Sequence, residues 1–138
     1  MEELINVNVG VVITESDIED IMLLAEEGTG HWADDIQVCG EYLGDDACEH
    51  LANGGWVSFH IKEGPITEGG PEWYDLSREM LVKGIRQYLS DPETNTTDLL
   101  FYNGVRTELD LGEVDAAAAD LIVQYALFGR QVFNEKTS

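Results

Sequence analysis

The pattern of apolar and polar positions changes within the first thirty residues. Residues 5–11 alternate apolar and polar side chains, which is the period of a half-buried β-strand. Residues 17–27 instead place apolar side chains three and four positions apart, as an amphipathic helix does. Ser16 followed by Glu19 has the spacing of a capping box, and Gly28 is typical of a helix end. The pattern therefore predicts a strand followed by a first helix over residues 17–27.

The rest of the chain continues with short elements separated by turns that contain glycine or proline. The predicted elements are a short helix over residues 45–53, a strand over 56–61, its hairpin partner over 73–76, a third helix capped by Ser77 and ended by Asp91-Pro92, strands over 99–102 and 107–109, and a last helix from Asp115 to Gly129. This order of strands and helices predicts one α+β domain spanning residues 1–138. We expect an antiparallel or mixed sheet packed against three to four helices.

The last predicted helix is apolar on nearly every side. Such a helix lies either at the centre of the core or at a contact between subunits. We expect Leu121, Tyr125 and Phe128 to be buried in it.

The charge of the chain is strongly negative and unevenly distributed. Among 138 residues, 28 are Asp or Glu and 7 are Lys or Arg, which gives a net charge of −21. No Lys or Arg precedes Lys62. Because proteins bind phosphate-rich surfaces through Lys and Arg, this balance argues against direct binding to nucleic acid or to a membrane. The hydrophobic content of 43% still suffices for a core, since a domain of this length buries roughly two-thirds of its surface.

Acidic side chains concentrate on the first predicted helix. Six of them lie within thirteen positions, which gives about one charge per 3.3 Å along the helix axis. That spacing is close to the roughly 3.4 Å between phosphates along one DNA strand. Leu23 points into the same face, where it would suit a partner better than solvent. The predicted partner-binding residues are Glu15, Asp17, Glu19, Asp20, Leu23, Glu26 and Glu27 on the helix, and Asp34, Asp35, Asp45, Asp46 and Glu49 beyond it.

Two other interpretations of the acidity stay open at the level of the sequence. Most charge runs are solvated helix faces that favour solubility. Proteins adapted to high salt also carry a high negative charge and few lysines, and this chain has three lysines.

The sequence offers little support for catalysis or metal binding. It contains no nucleophile elbow, zinc-protease helix or Walker loop. His31, Cys39, Cys48 and His50 are potential zinc ligands, but their spacing matches no established zinc signature. Because neither CxxC spacing nor an export signal is present, both cysteines are predicted to be free and partly buried. We therefore predict no catalytic residues, no metal and no cofactor.

Three segments of the chain resemble a family of small acidic proteins encoded by phages and prophages. They are Glu41-Tyr42-Leu43-Gly44, Ala52-Asn53-Gly54-Gly55 and Ile122-Val123-Gln124-Tyr125-Ala126-Leu127-Phe128-Gly129. The likeness extends over residues 13–133, although His31 precedes Trp32 where the family has a second aromatic residue. The resemblance implies a mobile-element context and carries no catalytic motif. Small acidic phage proteins are often anti-defence factors, including anti-CRISPR proteins and DNA mimics.

Together these observations predict a phage-type anti-defence inhibitor that is not an enzyme. Its acidic surface would mimic nucleic acid and block a basic, nucleic-acid-binding host protein. The alternative is a phage accessory or structural protein whose acidity serves solubility or salt adaptation. Because the chain begins without a basic segment followed by an apolar run, we expect it to act in the host cytoplasm.

Overall fold

The computed structural model describes residues 11–90, 100–102 and 104–134, and these form an α+β fold. The elements are β1 (Val11–Val12), α1 (Glu15–Gly28), β2 (Ala33–Cys39), α2 (Ala47–Ala52), β3 (Trp56–Ile61), β4 (Trp73–Leu76), α3 (Arg78–Ser90), β5 (Leu100–Tyr102), β6 (Thr107–Leu109) and α4 (Ala116–Phe128). Single-turn 3-10 helices at Thr29–His31 and Leu111–Glu113 join some of them. Most of the strand predicted over residues 5–11, and the proline stop after α3, lie outside the described residues.

The strands form two separate three-stranded sheets, where the sequence had predicted one. The first is antiparallel, in the order β2-β3-β4, and it confirms the predicted β3–β4 hairpin. The second has the order β1-β6-β5, with β1 parallel to β6 and β5 antiparallel to it. In the first sheet, Phe59 lies opposite Ile36 on β2 and Tyr74 on β4, so these three side chains share the inner face.

Aromatic side chains join that inner face to the end of α4. Trp32 stacks on Phe59 with ring centroids 5.8 Å apart and on Phe133 with centroids 5.2 Å apart. Phe128 meets Trp32 edge-on at 5.6 Å. Such pairs add to the free energy gained by burying their area. They hold the C-terminal segment after α4 against the sheet.

The buried side of α4 differs from the predicted one. Ile122 and Val123 are buried, whereas Leu121, Tyr125 and Phe128 are only half-buried, so the expectation of three buried side chains was wrong. The reason is that two polar residues of α4 also face inward. When a helix is apolar on every side, its sequence does not show which side is buried. The hydrogen bonds of its polar residues then determine how the helix is rotated about its axis.

Those inward polar residues are Asp120 and Gln124. Asp120 accepts hydrogen bonds from the indole Nε1 of Trp32 at 2.6 Å and from Nε2 of Gln124 at 3.1 Å, and lies 2.7 Å from His31 Nε2. The amide oxygen of Gln124 accepts from the backbone N–H groups of Val132 and Phe133, at 2.9 and 2.8 Å. Because buried polar groups are costly when unpaired, this network fixes the rotation of α4.

The first helix also begins differently from the prediction. Thr14, not Ser16, is its N-cap: the Thr14 hydroxyl accepts from the Asp17 N–H at 3.1 Å, and Asp17 accepts from the Thr14 N–H at 2.9 Å. The capping box is therefore Thr14 with Asp17, which leaves Glu19 free of any capping role. None of the helices in the described part of the chain is long and apolar enough to cross a membrane.

Candidate functional site

Two acidic residues at the start of α1 make contacts within the chain, although the Glu15 side chain stays exposed. Asp17 is occupied by the capping box. Glu15 lies 3.8 Å from the Arg78 guanidinium at the start of α3. Two of the six predicted α1 acids are therefore partly neutralised or engaged within the chain.

The other four α1 acids surround one exposed leucine. Glu19, Asp20, Glu26 and Glu27 stand three or four residues from Leu23, which places them one helical turn before and after it. Leu23 is 61% exposed. Most apolar side chains of α1 behave otherwise, because Ile18, Ile21, Met22 and Ala25 are buried. Leu23 is therefore an exposed apolar side chain among these four carboxylates.

Helix α2 adds two carboxylates to the same surface. Asp46 caps α2 by accepting from the Glu49 N–H at 2.9 Å, and Glu49 accepts from the Asp45 N–H at 2.8 Å. The Cys48 thiol, on α2, points to the Glu26 carboxylate on α1 at 3.6 Å. Packing of α2 on the Glu19 and Glu26 flank of α1 thus joins two acidic segments that are twenty residues apart. We call the carboxylates Glu19, Asp20, Glu26, Glu27, Asp46 and Glu49, with Leu23 among them, the acidic face.

Partial burial and neighbouring negative charges both act on Glu19 in the acidic face. The pKa of Glu19 lies above its ordinary value of 4.5, first because of partial burial and then because of the charges of Glu49, Asp46 and Asp20. No Lys or Arg among the described residues forms an ion pair with any carboxylate of the face. The face therefore holds an unbalanced negative charge next to an exposed apolar side chain.

Asp34 and Asp35 do not join this face. They lie on β2 in the antiparallel sheet, where a bulge between Ala33 and Asp35 shifts the register. Asp34 accepts a hydrogen bond from Nδ1 of His60 at 2.6 Å, and the Glu72 carboxylate lies 3.7 Å from the other ring nitrogen. The pKa of His60 is raised, chiefly by the Asp34 hydrogen bond, which burial partly opposes. Asp34 and Asp35 were expected to extend the first-helix surface only if the fold brought them to the same side, and the structure places them on β2 beside His60 instead.

Two tryptophans accompany His60 on the outer side of that sheet. Trp73 lies opposite His60 in the strand register, with ring centroids 4.8 Å apart, and is 40% exposed. Trp56, on the same strand as His60, is 47% exposed. Both indole rings are therefore partly open to solvent on the outer side of this sheet.

Three of the four potential zinc ligands, His31, His50 and Cys48, make hydrogen-bonding contacts with other groups of the chain. His31 binds Asp120, and His50 accepts from the Leu43 N–H at 2.9 Å while its other nitrogen meets the Cys39 carbonyl at 3.1 Å. Both cysteines are free, as predicted. The predicted partial burial was wrong for both, because Cys39 is exposed and Cys48 is buried. Burial and the neighbouring Glu26 raise the pKa of Cys48 to about 12. In residues 11–90, 100–102 and 104–134, no three His, Cys, Asp or Glu side chains group as metal ligands.

Sequence reasoning missed the pairing of His31 with Asp120 and the cationic side of α3. Neither carries a local signal: His31 and Asp120 are 89 positions apart. The α3 cations become distinctive only when the start of α1 is placed beside them.

Comparison with known proteins adds no assignment. No protein-family model matches the chain, and neither a curated protein nor a solved structure gives a significant match.

Proposed function

We propose that the acidic face is the binding surface of an inhibitor that engages a basic, nucleic-acid-binding host protein and blocks its nucleic-acid site. The observation that carries this proposal is Leu23, exposed by 61% between four carboxylates. A basic protein partner would gain an apolar contact at Leu23 in addition to ion pairs with the four carboxylates around it.

The electrostatics of the face support a cationic partner. The pKa of Glu19 is raised first by partial burial and then by repulsion from Glu49, Asp46 and Asp20, so its charged form is disfavoured in the folded chain. Lys and Arg side chains of a partner would relieve that repulsion and would also accelerate association through long-range attraction.

The class of partner follows from the density of charge. Without Glu15 and Asp17, α1 retains four carboxylates over nine residues, about one per 3.4 Å of helix axis, and α2 contributes two more beside them. This average is close to the roughly 3.4 Å phosphate spacing of one DNA strand, with the α1 carboxylates arranged in two adjacent pairs. The resemblance to small phage proteins suggests a defence effector as the target and the host cytoplasm as its location.

Capture from a bacterial lysate tests the proposal. The immobilised chain should retain a basic protein that both molar salt and duplex DNA release, since DNA would compete for the same site. The variant Glu19→Gln/Asp20→Asn/Glu26→Gln/Glu27→Gln should lose that protein. Gln at position 26 keeps an acceptor for the Cys48 thiol, so the contact between α1 and α2 is preserved.

A second four-charge variant is the matched control. Glu41, Glu63, Glu68 and Glu113 are exposed and stand outside the acidic face. Changing them to Gln gives the same net charge of −21 + 4 = −17. The control variant should capture the protein as the parent does. Equal capture by both variants, or capture that DNA does not displace, would favour acidity that serves solubility alone.

A further inference from the structure

One cavity gathers three of the seven cationic residues of this acidic chain. It has a volume of about 420 Å³ and lies between the start of α1 and α3. Arg78, Lys83 and Arg86 line it together with Ile13, Ile18 and Val82. Cavities in the range of about 300–1,000 Å³ commonly hold small molecules. Glu15 and Glu79 also line it, so three cations and two carboxylates give the cavity a net charge of +1 in a chain of net charge −21.

Arg78 has a structural explanation. One of its terminal nitrogens donates to the Ala52 carbonyl at 3.0 Å, which ties α3 to the end of α2. Its guanidinium also lies 3.3 Å from Glu79 and 3.8 Å from Glu15, both of which line the cavity. The charge of Arg78 is therefore balanced within the protein.

Lys83 and Arg86 are not balanced in this way. In the described part of the chain, neither forms an ion pair, although 28 residues of the sequence are acidic. Glu79 stands four residues before Lys83, which is the favourable spacing for a helical ion pair, yet its carboxylate contacts Arg78 instead. Lys83 and Arg86 are three residues apart on one side of α3, so they repel each other. An anion between them would relieve that repulsion.

The apolar lining specifies the rest of such a ligand. Ile13, Ile18 and Val82 offer aliphatic contact beside the two cations, which suits an amphipathic molecule better than an inorganic ion. The negative charge elsewhere does not prevent its approach, because charges beyond about 8 Å are largely screened at physiological ionic strength. Inside the cavity, the cations Arg78, Lys83 and Arg86 outnumber the carboxylates of Glu15 and Glu79, which leaves a net attraction for an anion.

We propose that this cavity binds a small amphipathic organic anion of the carboxylate class. Its anionic group lies between Lys83 and Arg86, and its hydrocarbon part contacts Ile13, Ile18 and Val82. This site is separate from the acidic face, so the proposal does not depend on the proposed inhibitor function.

Titration with octanoate, followed by NMR of the isoleucine and valine methyl groups, tests the site in the full chain. The methyl signals of Ile13 and Val82 should shift and saturate together. Octan-1-ol and octyltrimethylammonium carry the same alkyl chain without the negative charge, and neither should saturate these signals. In Lys83→Gln/Arg86→Gln, the affinity for octanoate should fall by roughly tenfold or more, as expected for losing charged hydrogen bonds.

The variant Lys62→Gln/Arg130→Gln is the matched control, since it removes two cations outside the cavity. Its affinity for octanoate should stay within about twofold of the parent, because these charges lie beyond the cavity lining. Val82→Ala keeps both cations and should also weaken binding. Absence of saturable shifts, equal binding of octan-1-ol, or unchanged affinity in Lys83→Gln/Arg86→Gln would each overturn the proposal.

Discussion

At the scale of single residues, the environment of Leu23 and of Glu19 depends on the side chains that surround them. Helix periodicity alone places Leu23 among four carboxylates, and the structure adds that Leu23 is exposed. Periodicity cannot reveal that Asp17 caps its own helix or that Glu15 meets Arg78, because those contacts depend on the choice of cap and on tertiary packing. Two segments have the spacing of a capping box, Thr14-x-x-Asp17 and Ser16-x-x-Glu19. The sequence alone therefore does not determine at which of them the helix begins.

Neutralising Glu19 should stabilise the fold in a pH-dependent way. Its pKa is raised in the folded state, so the charged form opposes folding at pH values above the raised pKa and has no effect well below 4.5. Glu19→Gln should therefore raise the Tm at pH 7 and should change it little at pH 3. Thermal melts of Glu19→Gln and of the control Glu63→Gln measure this. A gain that is as large at pH 3 as at pH 7 would exclude charge repulsion as its cause.

Removing Asp34 should have the opposite dependence on pH. The Asp34 hydrogen bond raises the pKa of His60 above its ordinary value of 6.5, so this pairing stabilises the fold below that value and is lost as the pH rises through the raised pKa. Asp34→Asn should lower the Tm more at pH 6 than at pH 9, and it should lower the pKa of His60 in an NMR titration. Asp35→Asn, which removes the weakest of the charges acting on His60, should do so to a smaller extent.

At the scale of elements, helices were easier to predict from sequence than strands. All four described helices lie within a few residues of their predicted bounds, because caps and apolar spacing are local signals. Strand β2 (Ala33–Cys39) was missed. The bulge between Ala33 and Asp35 interrupts the alternation of apolar and polar residues along the strand. The buried Ala33 therefore does not follow the two-residue period of the inward-facing Ile36 and Val38.

The contact between α3 and α4 depends on a glycine in the middle of a helix. A Cβ atom on Gly84 would lie 2.4 Å from the Ile122 carbonyl oxygen and 2.9 Å from the Ala126 Cβ. Alanine normally favours a helix over glycine by about 1 kcal/mol, but overpacking typically costs about 1–3 kcal/mol. Gly84→Ala should therefore lower the free energy of unfolding, by up to about 2 kcal/mol, in denaturant titration.

Gly30→Ala is the control for that substitution, since a Cβ atom at position 30 would meet no atom within 4 Å. It should leave the free energy of unfolding nearly unchanged. A stabilised Gly84→Ala variant would show that the two helices are farther apart than the structure places them.

At the scale of the whole molecule, the sequence predicted the α+β class but neither the division into two sheets nor the rotation of α4. Strand order depends on contacts between distant segments, and the buried side of α4 depends on Asp120 meeting Trp32. The net charge of −21 was evident from the composition, whereas its division between the acidic face and the His60 sheet required the fold. The cationic cavity beside Lys83 and Arg86 likewise required the fold.

Salt should separate a binding surface from salt adaptation. A protein adapted to molar salt needs that salt to screen its self-repulsion, whereas an inhibitor that acts in an ordinary cytoplasm folds without it. We expect a cooperative thermal transition in 0.1 M NaCl and only a modest rise in Tm at higher salt. Loss of the transition in 0.1 M NaCl, with recovery in molar salt, would support the salt-adaptation account.

Binding at the acidic face is tested most directly by measuring the affinity of the captured partner across a range of salt concentrations. The dissociation constant would be measured for the parent chain, for Glu19→Gln/Asp20→Asn/Glu26→Gln/Glu27→Gln and for Leu23→Ala. We predict that the four-charge variant binds much more weakly and with a shallower salt dependence, because the charges that attract the partner are gone. Leu23→Ala should weaken binding while keeping the slope of the parent, as loss of an apolar contact would. A four-charge variant that binds as tightly as the parent at physiological salt would contradict the account.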